Sequence, residues 1–580
     1  MADDEITIRP GRSRDSGSAS YRKAGTLVGR VLQASRQVGF TALGRGKTGR
    51  GTGHIGRGRS AALRSRHRAF RRRVVIKARV VRHRGAAFRS APLARHVAYL
   101  EREGVTRDGS DGQMFDAHSD EADGRAFAAR CEADRHHFRF IVSPEDAGQM
   151  VDLRTFTREL MQDMARDLET KLDWVAVDHW NTGNPHIHVL VRGVADGGKD
   201  LVIDRGYISA GLRARAEERV TIELGPRSER DICHALRREV DAERWTSLDR
   251  RLHLRRDARG TVDLRFEPSA GGRRDRIFLI GRARVLQRMG LAHQVGPASW
   301  TLSDGCESSL RALGDRGDII KTMHRAMSGR GRESDPRSFA LHGSSSDQPI
   351  IGRLVERGLH DELTGEAYAI IEGLDGRTHH LRLPDIERTS DAAPNAIVST
   401  STWTARNGKQ QTSLLVRSDL TLARQIEARG ATWLDRQLTS PRPETLEGAF
   451  GAEVRGALDK RADVLAAEGL ARRSGQRVVF ARDLLDTLRG RDIAEAASRL
   501  AAKHGGALQS ADPGEQVAGV YRERITLASG RFAMIDNALG FQLVPWRQDL
   551  EQHLGQAVSG RINDRGGVDW TFGRSRSLLV

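Results

Sequence analysis

The stretch that decides the fold of the N-terminal half runs Asp178-His179-Trp180-Asn181-Thr182-Gly183-Asn184-Pro185-His186-Ile187-His188-Val189-Leu190-Val191-Arg192. Residues 174–179 and 186–191 are rich in β-branched side chains and predict two strands, and Asn-Thr-Gly-Asn-Pro between them is typical of a turn. Because strand side chains alternate between faces, His186 and His188 share one face while Ile187 takes the other. Folding of the hairpin then brings His179 across to the same face.

Three imidazoles that converge with room for a further ligand are typical of a catalytic metal site, whereas a structural site is closed by four protein ligands. We therefore predict that His179, His186 and His188 bind a divalent metal ion. The alternative is that these are scattered polar residues on a solvated hairpin, which is the usual meaning of a single histidine. Three imidazoles suit Zn or Mn better than Mg by ligand softness.

The composition predicts a soluble, multidomain protein. The chain has 580 residues, of which 38% are hydrophobic and 29% charged, so two to four domains are expected. It contains no apolar run of about 18 residues, and the acidic start Met-Ala-Asp-Asp-Glu is unlike a secretory signal. The three cysteines are far apart, which suits a reducing cytoplasm and excludes a disulfide framework.

The positive charge is concentrated at the N-terminus. Residues 1–90 hold 23 Lys and Arg against four acids, which equals the formal net charge of +19 of the whole chain. We predict that residues 1–71, rich in Arg, Gly and Ser, are a largely disordered arm that binds polyphosphate without sequence preference. Arg71, Arg72 and Arg73 at its end are assigned to DNA binding. The alternative is a disordered tail whose charge keeps the protein soluble.

Residues 72–225 predict an α+β domain with a central, mainly antiparallel sheet flanked by helices. Its strands are expected at 74–81 and 138–144 and in the histidine hairpin. Its helices are expected at 93–104 and 152–171, and a further helix at 207–223.

Residues 226–330 predict a helical region that ends in a winged-helix-like module. One helix is expected over 228–252 and another over 279–289, followed by Gly290-Leu291-Ala292 and a short hairpin. Residues 462–480 repeat this pattern of a helix, Gly-Leu-Ala and a hairpin, and residues 423–433 are a looser copy of it. A second winged helix is therefore expected in the C-terminal domain, 350–580. Ordinary helix–turn–strand joints are the alternative. A polar linker is expected at 331–349, and the β-like runs in 519–546 predict a small barrel.

A tyrosine can cleave a phosphodiester by forming a covalent phosphoryl intermediate, which conserves the energy of the broken bond. The chain has five tyrosines. Tyr21 lies in the arm, and Tyr368 and Tyr521 lie beyond the predicted linker. The residues alone leave Tyr99, on a helix before the hairpin, and Tyr207, directly after it.

The constellation resembles the HUH-type relaxases, the mobilisation nucleases that nick plasmid or integrative-element DNA at a transfer origin. It is most similar to the T-DNA border-nicking relaxases, in a bacterial branch that has a long C-terminal domain of unknown function. The resemblance covers about residues 72–225. It is carried by His179…His186-Ile187-His188, by Ser143-Pro144 at a strand end, and by Tyr99-Leu100-Glu101-Arg102-Glu103-Gly104. It implies an HUH fold.

The resemblance selects Tyr99 as the nucleophile, Arg102 as its phosphate partner, and His179, His186 and His188 as ligands of Mg or Mn, with Zn as a further option. We hold His96, one turn before Tyr99, as a candidate base. The sequence departs from the family at Asn181, where the metal motif has an aspartate in the second shell of the metal.

The resemblance implies a relaxase that nicks single-stranded DNA at a transfer origin through a 5′-phosphotyrosyl intermediate. Accessory relaxosome proteins and a type IV secretion coupling protein are the expected partners. A bacterial cytoplasmic location without membrane insertion is expected, with passage to a recipient cell on the bound DNA. The alternatives are a rolling-circle replication initiator and a non-catalytic DNA-binding or partition protein.

Overall fold

The computed structural model describes residues 70–571 of the chain, and the predicted arm lies outside this range except for its last two residues. Also outside the described residues are 84–92, 104–105, 111, 181–183, 266–269, 330, 332–334, 344–347, 362, 405–407, 409, 475–476, 510–513, 538 and 564–565. The described residues form two compact units, one ending at Ser309 and the other beginning at Leu310.

The first unit contains seven strands and seven α-helices among its described residues. In chain order they are β1 (Val74–Arg82), α1 (Leu93–Glu103), α2 (Gly124–Arg130), β2 (His136–Pro144), α3 (Leu153–Leu168), β3 (Trp174–His179), β4 (His186–Arg192), α4 (Leu212–Leu224), α5 (Glu229–Val240), α6 (Ser247–Leu254), β5 (Thr261–Asp263), α7 (Ala270–Arg288), β6 (Ala292–Gly296) and β7 (Ser299–Leu302). Helix α8 (Cys306–Ser328) follows and continues into the second unit.

The second unit is richer in strands. They are β8 (Phe339–His342), β9 (Ile351–Asp361), β10 (Glu366–Gly373), β11 (Thr378–Leu383), β12 (Ile397–Thr404), β13 (Gln410–Ser418), β14 (Ala471–Ser474), β15 (Arg477–Phe480), β16 (Ala507–Leu508), β17 (Gln516–Leu527), β18 (Gly530–Asp536), β19 (Gly540–Pro545), β20 (Ala557–Ile562) and β21 (Val568–Thr571). Its further α-helices are α9 (Leu422–Glu427), α10 (Trp433–Leu438), α11 (Gly448–Ala467) and α12 (Leu484–His504).

A four-stranded sheet in the order β1-β2-β4-β3 organises the first unit, and all its pairings are antiparallel. Alternation in β1 places Val74 and Ile76 on one face, where they join a buried core with side chains of α3 and α4. The histidine hairpin is its β3–β4 pair. The prediction of a mixed α/β protein with mainly antiparallel sheets is confirmed at this level.

The predicted helix over 228–252 is wrong as a single element, because it is interrupted after Val240 and restarts at Ser247. The cause is a capping box in which Thr246 accepts a hydrogen bond from the Asp249 backbone amide and Asp249 accepts one from the Thr246 amide. Such a box satisfies amide groups that a new helix start leaves without partners, and here it outweighs continuous helical periodicity.

Both copies of the repeated Gly-Leu-Ala pattern form a helix followed by a two-stranded antiparallel hairpin. Helix α7 leads into β6–β7, and α11 leads into β14–β15. Two shorter helices precede each long helix in the chain, α5 and α6 in the first case and α9 and α10 in the second. The order helix, helix, helix, hairpin therefore occurs twice, and in the first copy the short strand β5 lies between the second and third helices and pairs with β7.

The second unit contains two six-stranded sheets, in the orders β13-β12-β9-β10-β11-β8 and β16-β19-β18-β17-β20-β21. Strand β8 lies within the segment predicted as a linker and pairs in parallel with β11, so residues 339–342 belong to the first of these sheets. In the second, β16 and β21 are edge strands, and no pairing among the described residues closes it into the predicted barrel.

None of the described helices is long and apolar enough to cross a membrane.

Candidate metal centre

Strand register sets the positions of the three histidines. His179 lies directly opposite His186 in the β3–β4 pair, and His188 lies opposite Val177. Directly opposed residues of an antiparallel pair project to the same face, so all three imidazoles stand on one side of the sheet. Ile187 between them projects to the other face and enters the core.

The three side chains are buried together. Their exposed fractions are 3% for His179, 8% for His186 and 3% for His188, and the ring centroids are separated by 4.6 to 5.4 Å. One ring nitrogen from each residue lies within 4.8 Å of the others, and among the described residues this is the group of three whose spacing suits a metal ion. The sequence prediction that these residues converge is confirmed.

A hydrogen bond to the hairpin turn orients the ring of His186. His186 Nδ1 lies 3.0 Å from the Asn184 carbonyl oxygen and donates to it, so its lone pair is on Nε2. That Nε2 lies 3.2 Å from the Nε2 of His188. Two nitrogens bound at about 2.1 Å to one ion at tetrahedral or octahedral angles lie roughly 3.0 to 3.4 Å apart. The donor set and its spacing therefore fit a small divalent cation with open coordination positions.

The third ring is held by the helix that carries Tyr99. His179 Nε2 lies 3.3 Å from the carbonyl oxygen of Leu100, which is the residue after Tyr99 in α1. Helix α1 therefore covers the histidine face of the sheet. Tyr99 itself is buried, with 8% of its surface exposed. His96, the candidate base, is half-buried one turn earlier.

Tyr207 stands on the other side of the sheet. It belongs to the core cluster with α3 and α4, and its hydroxyl donates to Asp167 at 3.1 Å. Arg215 forms an ion pair with the same carboxylate at 2.6 Å. Burial and the charge of Asp167 raise the pKa of the Tyr207 phenol far above its ordinary value. A phenol in this position is a structural hydrogen-bond donor.

The predicted DNA-binding arginines at the end of the arm hold the domain together. Arg72 bonds to the carbonyl oxygens of Gly225 and Leu224 and to Asp146. Arg73 pairs with Glu239 at 2.8 Å and with Glu145 at 3.7 Å, and Arg71 donates to the Ala214 carbonyl oxygen. Of the other predicted residues, Asn181 and the side chain of Arg102 lie outside the described residues.

Asp178 was not selected by sequence reasoning as a site residue, yet it fixes the end of β3. It is buried, accepts from the Arg154 guanidinium at 3.1 Å and accepts from the Trp180 indole at 2.7 Å. Because Asp178 lies opposite Ile187, it projects away from the histidines and stabilises the hairpin from the opposite face. The sequence could have indicated the contact with Trp180, because side chains at positions 178 and 180 of an extended segment project to the same side.

A basic row beside the histidines was also missed. Lys77 lies opposite Ile141, which lies opposite His188, so the three residues share one row across the sheet. At roughly 4.8 Å per strand, Lys77 is about 10 Å from His188. In the adjacent row Arg79 lies opposite Arg139. Lys77 and Arg79 are exposed, and alternation in β1 predicts their shared face.

Arg139, His137 and His83 form a hydrogen-bonded network next to this row, in which His137 is buried and the other two side chains are half-buried. The Arg139 guanidinium donates to His137 Nε2 at 2.9 Å, and His137 Nδ1 lies 2.7 Å from His83 Nε2. Burial and the charge of Arg79 lower the pKa of Arg139 to about 10. Burial and the charge of Arg139 lower the pKa of His137 to about 2, so His137 stays neutral and accepts the bond.

Comparison with known families finds a match in the C-terminal half of the chain. A sequence profile described as "Protein of unknown function (DUF3363)" matches residues 279–409 and 403–579, which together make up just over half of the chain. The match lies C-terminal to the three histidines and to Tyr99. No curated protein and no solved structure matched the chain.

Proposed function

The chain belongs to the DUF3363 family, whose function is unknown, and we propose from its own site that it is a metal-dependent, tyrosine-using DNA strand transferase of the relaxase type. The observation that carries the proposal is the contact between His179 and Leu100. It joins three convergent imidazoles on the sheet to the helix of a buried tyrosine, which is the pairing of metal ligands and nucleophile that such a reaction requires.

A divalent cation held by His179, His186 and His188 would polarise the scissile phosphate and neutralise charge that develops on its oxygens. Magnesium or manganese is the expected ion, and zinc is compatible with the ligand set. Three histidines contribute no negative charge, so the full cationic charge remains available to the phosphate.

In the proposed reaction the phenol oxygen of Tyr99 attacks the phosphorus atom. The Tyr–O–P bond forms, the bond from phosphorus to the 3′ oxygen breaks, the phenol loses its proton and the leaving oxygen gains one. The products are a 5′-phosphotyrosyl protein and a free 3′-hydroxyl. Because the phosphodiester energy is conserved in the adduct, the step is reversible and can rejoin DNA ends.

The charge beside the site supports a nucleic-acid substrate. Lys77 and Arg79 extend from the histidine region along the exposed edge of the sheet, and phosphate groups are the natural partners of such a row. Single-stranded DNA at a transfer origin is the proposed substrate. Relaxosome proteins and a secretion coupling protein are the proposed partners.

The test uses the full-length protein and single-stranded transfer-origin DNA labelled at the 5′ or the 3′ end, with Mg²⁺ or Mn²⁺. The expected result on a denaturing gel is a covalent adduct that carries the 3′ label and is absent when EDTA is added. A 5′-labelled adduct would contradict the assigned polarity. Absence of any adduct, together with no divalent ion bound by the protein, would favour a non-catalytic DNA-binding protein.

A further inference from the structure

Arg282 of α7 makes a buried set of contacts that fixes three helices together. Its guanidinium pairs with Asp249 at 2.7 Å, and both side chains are almost wholly buried. It also donates to the carbonyl oxygens of Val240, the last residue of α5, and of Ala242 and Arg244 in the connection between α5 and α6. A fully paired guanidinium of this kind specifies one arrangement of the surrounding backbone.

Arg461 of α11 makes the same set of contacts in the second unit. It pairs with Asp435 at 2.8 Å, again buried, and donates to the carbonyl oxygens of Ile426, Ala428 and Gly430. In both cases the three carbonyl groups lie nine, seven and five residues before the aspartate. Each hydrogen-bond partner of Arg282 therefore has a counterpart at the corresponding position among the partners of Arg461.

The surrounding sequence repeats with the contacts. Arg282-Ala283-x-Val285-Leu286-x-x-x-Gly290-Leu291-Ala292 corresponds to Arg461-Ala462-x-Val464-Leu465-x-x-x-Gly469-Leu470-Ala471. Gly290 and Gly469 have φ values of +74° and +76°, which end each helix before its hairpin. Both aspartates close a capping box with a threonine three residues earlier. The segments 229–302 and 422–480, named here the first and second module, are therefore two copies of one structural unit. The paired Asp and Arg lie 33 residues apart in the first module and 26 apart in the second, and the longer connection contains β5.

The two copies differ on the outer face of their third helix. In the first module this face presents the exposed residues Arg273, Ile277, Arg284 and Arg288. At 100° per residue these four positions fall within an arc of about 60°, opposite the buried Arg282. No ion pair joins these three arginines to another residue among those that the structure describes.

In the second module the corresponding positions carry no positive charge. The positions of Arg273 and Arg288 are taken by Ala452 and Ala467. The position of Arg284 is taken by Asp463, which forms an ion pair with Arg473 of the adjoining hairpin. The equivalent of Arg473 in the first module is Gln294, which bonds instead to the carbonyl oxygen of Gly296.

We infer that the first module binds duplex DNA by placing the Arg273, Arg284 and Arg288 face of α7 in the major groove, and that the second module does not use this face for DNA. This binding surface is distinct from the metal centre and does not depend on the proposed strand transfer.

The shape and composition of the face select the partner. A single helix fits the major groove of B-form DNA, which is about 12 Å wide, whereas the major groove of A-form RNA is too narrow for side chains to read. Binding of single strands generally uses aromatic side chains as stacking platforms, and this face contains none. Arginine side chains contact both phosphates and guanine edges in the major groove.

The experiment compares the full-length protein with the triple variant R273Q/R284Q/R288Q. The probe is a fluorescein-labelled 25-base-pair duplex, titrated by anisotropy over a series of salt concentrations. We expect the triple variant to bind about tenfold more weakly or worse. If all three arginines contact phosphates, the slope of log K against log salt should fall by about 2 to 3. Because the three side chains are exposed, the melting temperature should not change.

The second module provides a control with the same loss of charge, R455Q/K460Q/R472Q, in which all three residues are exposed. The control should bind the duplex as the parent protein does. If both triple variants lost the same affinity for the duplex, the inference would be overturned, because the loss would then follow from net charge alone. The inference would also be overturned if R273Q/R284Q/R288Q bound the duplex as tightly as the parent protein does. The same holds if this variant lost as much affinity for a single-stranded probe of the same length as for the duplex. Formation of the covalent adduct by R273Q/R284Q/R288Q on single-stranded DNA tests the proposed strand transfer separately from duplex binding.

Discussion

The Nε2 atoms of His186 and His188 lie 3.2 Å apart, the separation expected of two ligands on one small cation. At this distance the two nitrogens can share a hydrogen bond or can bind one metal ion. The carbonyl group of Asn184 takes the Nδ1 proton of His186 and turns the lone pair of that ring towards its neighbour. The hairpin turn therefore sets the tautomer of the ring as well as its position.

Replacing His186 by Ala should abolish cleavage and leave DNA binding nearly unchanged, since the basic residues that we propose to bind phosphate lie elsewhere. Binding of Mn²⁺, measured by electron paramagnetic resonance, should weaken by more than the roughly 10- to 100-fold that loss of an orienting neighbour costs. His118→Ala is the control, because His118 is exposed and outside the cluster. Cleavage at the parental rate by His186→Ala would mean that the metal site is wrongly assigned.

Tyr99→Phe should eliminate the covalent adduct while leaving the fold, metal binding and DNA affinity intact, because it removes only the hydroxyl group. Tyr207→Phe is the matched control. It should keep the adduct but lose about 1 kcal/mol of stability with the hydrogen bond to Asp167. Denaturing gels with 5′- and 3′-labelled single strands measure the adduct, and thermal melting measures the stability. An adduct that persists in Tyr99→Phe, or disappears in Tyr207→Phe, would place the nucleophile elsewhere.

The sequence was sufficient where local rules determine the structure. Alternation in residues 186–188 and the turn before them predicted the convergence of the histidines, and the same period predicted β1. The break between α5 and α6 was missed because the helical periodicity continues through it, while the capping box of Thr246 and Asp249 decides the outcome.

Contacts between distant elements could not be predicted from local pattern. The bond between His179 and the Leu100 carbonyl joins residues 79 positions apart through backbone that carries no sequence signal. The internal pairing of Arg72 and Arg73 was likewise hidden, because in sequence they continue the basic arm. The Arg282 and Arg461 contacts were signalled only by the repeated Gly-Leu-Ala phrase.

Deletion of residues 1–69 should weaken binding to DNA steeply at low salt and flatten the dependence of log K on log salt. The reason is that the arm carries most of the excess positive charge, and its contacts release counterions without sequence preference. The deletion stops before Arg71, since Arg71, Arg72 and Arg73 make contacts within the folded domain. Anisotropy titrations from 50 to roughly 300 mM salt measure both quantities. Equal slopes with and without the arm would contradict its assigned role.

Arg282→Ala should destabilise the first module by about 3 to 5 kcal/mol, because it leaves the Asp249 carboxylate buried without its partner. The change should be local, so hydrogen exchange read by mass spectrometry is the appropriate measurement. Peptides covering residues 240–254 should exchange faster, and peptides covering 426–438 should not. Arg461→Ala should give the reverse pattern, since Arg461 holds Asp435 in the same way. Arg284→Ala, an exposed change on the same helix as Arg282, should stay within about 0.5 kcal/mol of the parent. Unchanged protection in both buried variants would show that the repeated contact set does not stabilise the modules.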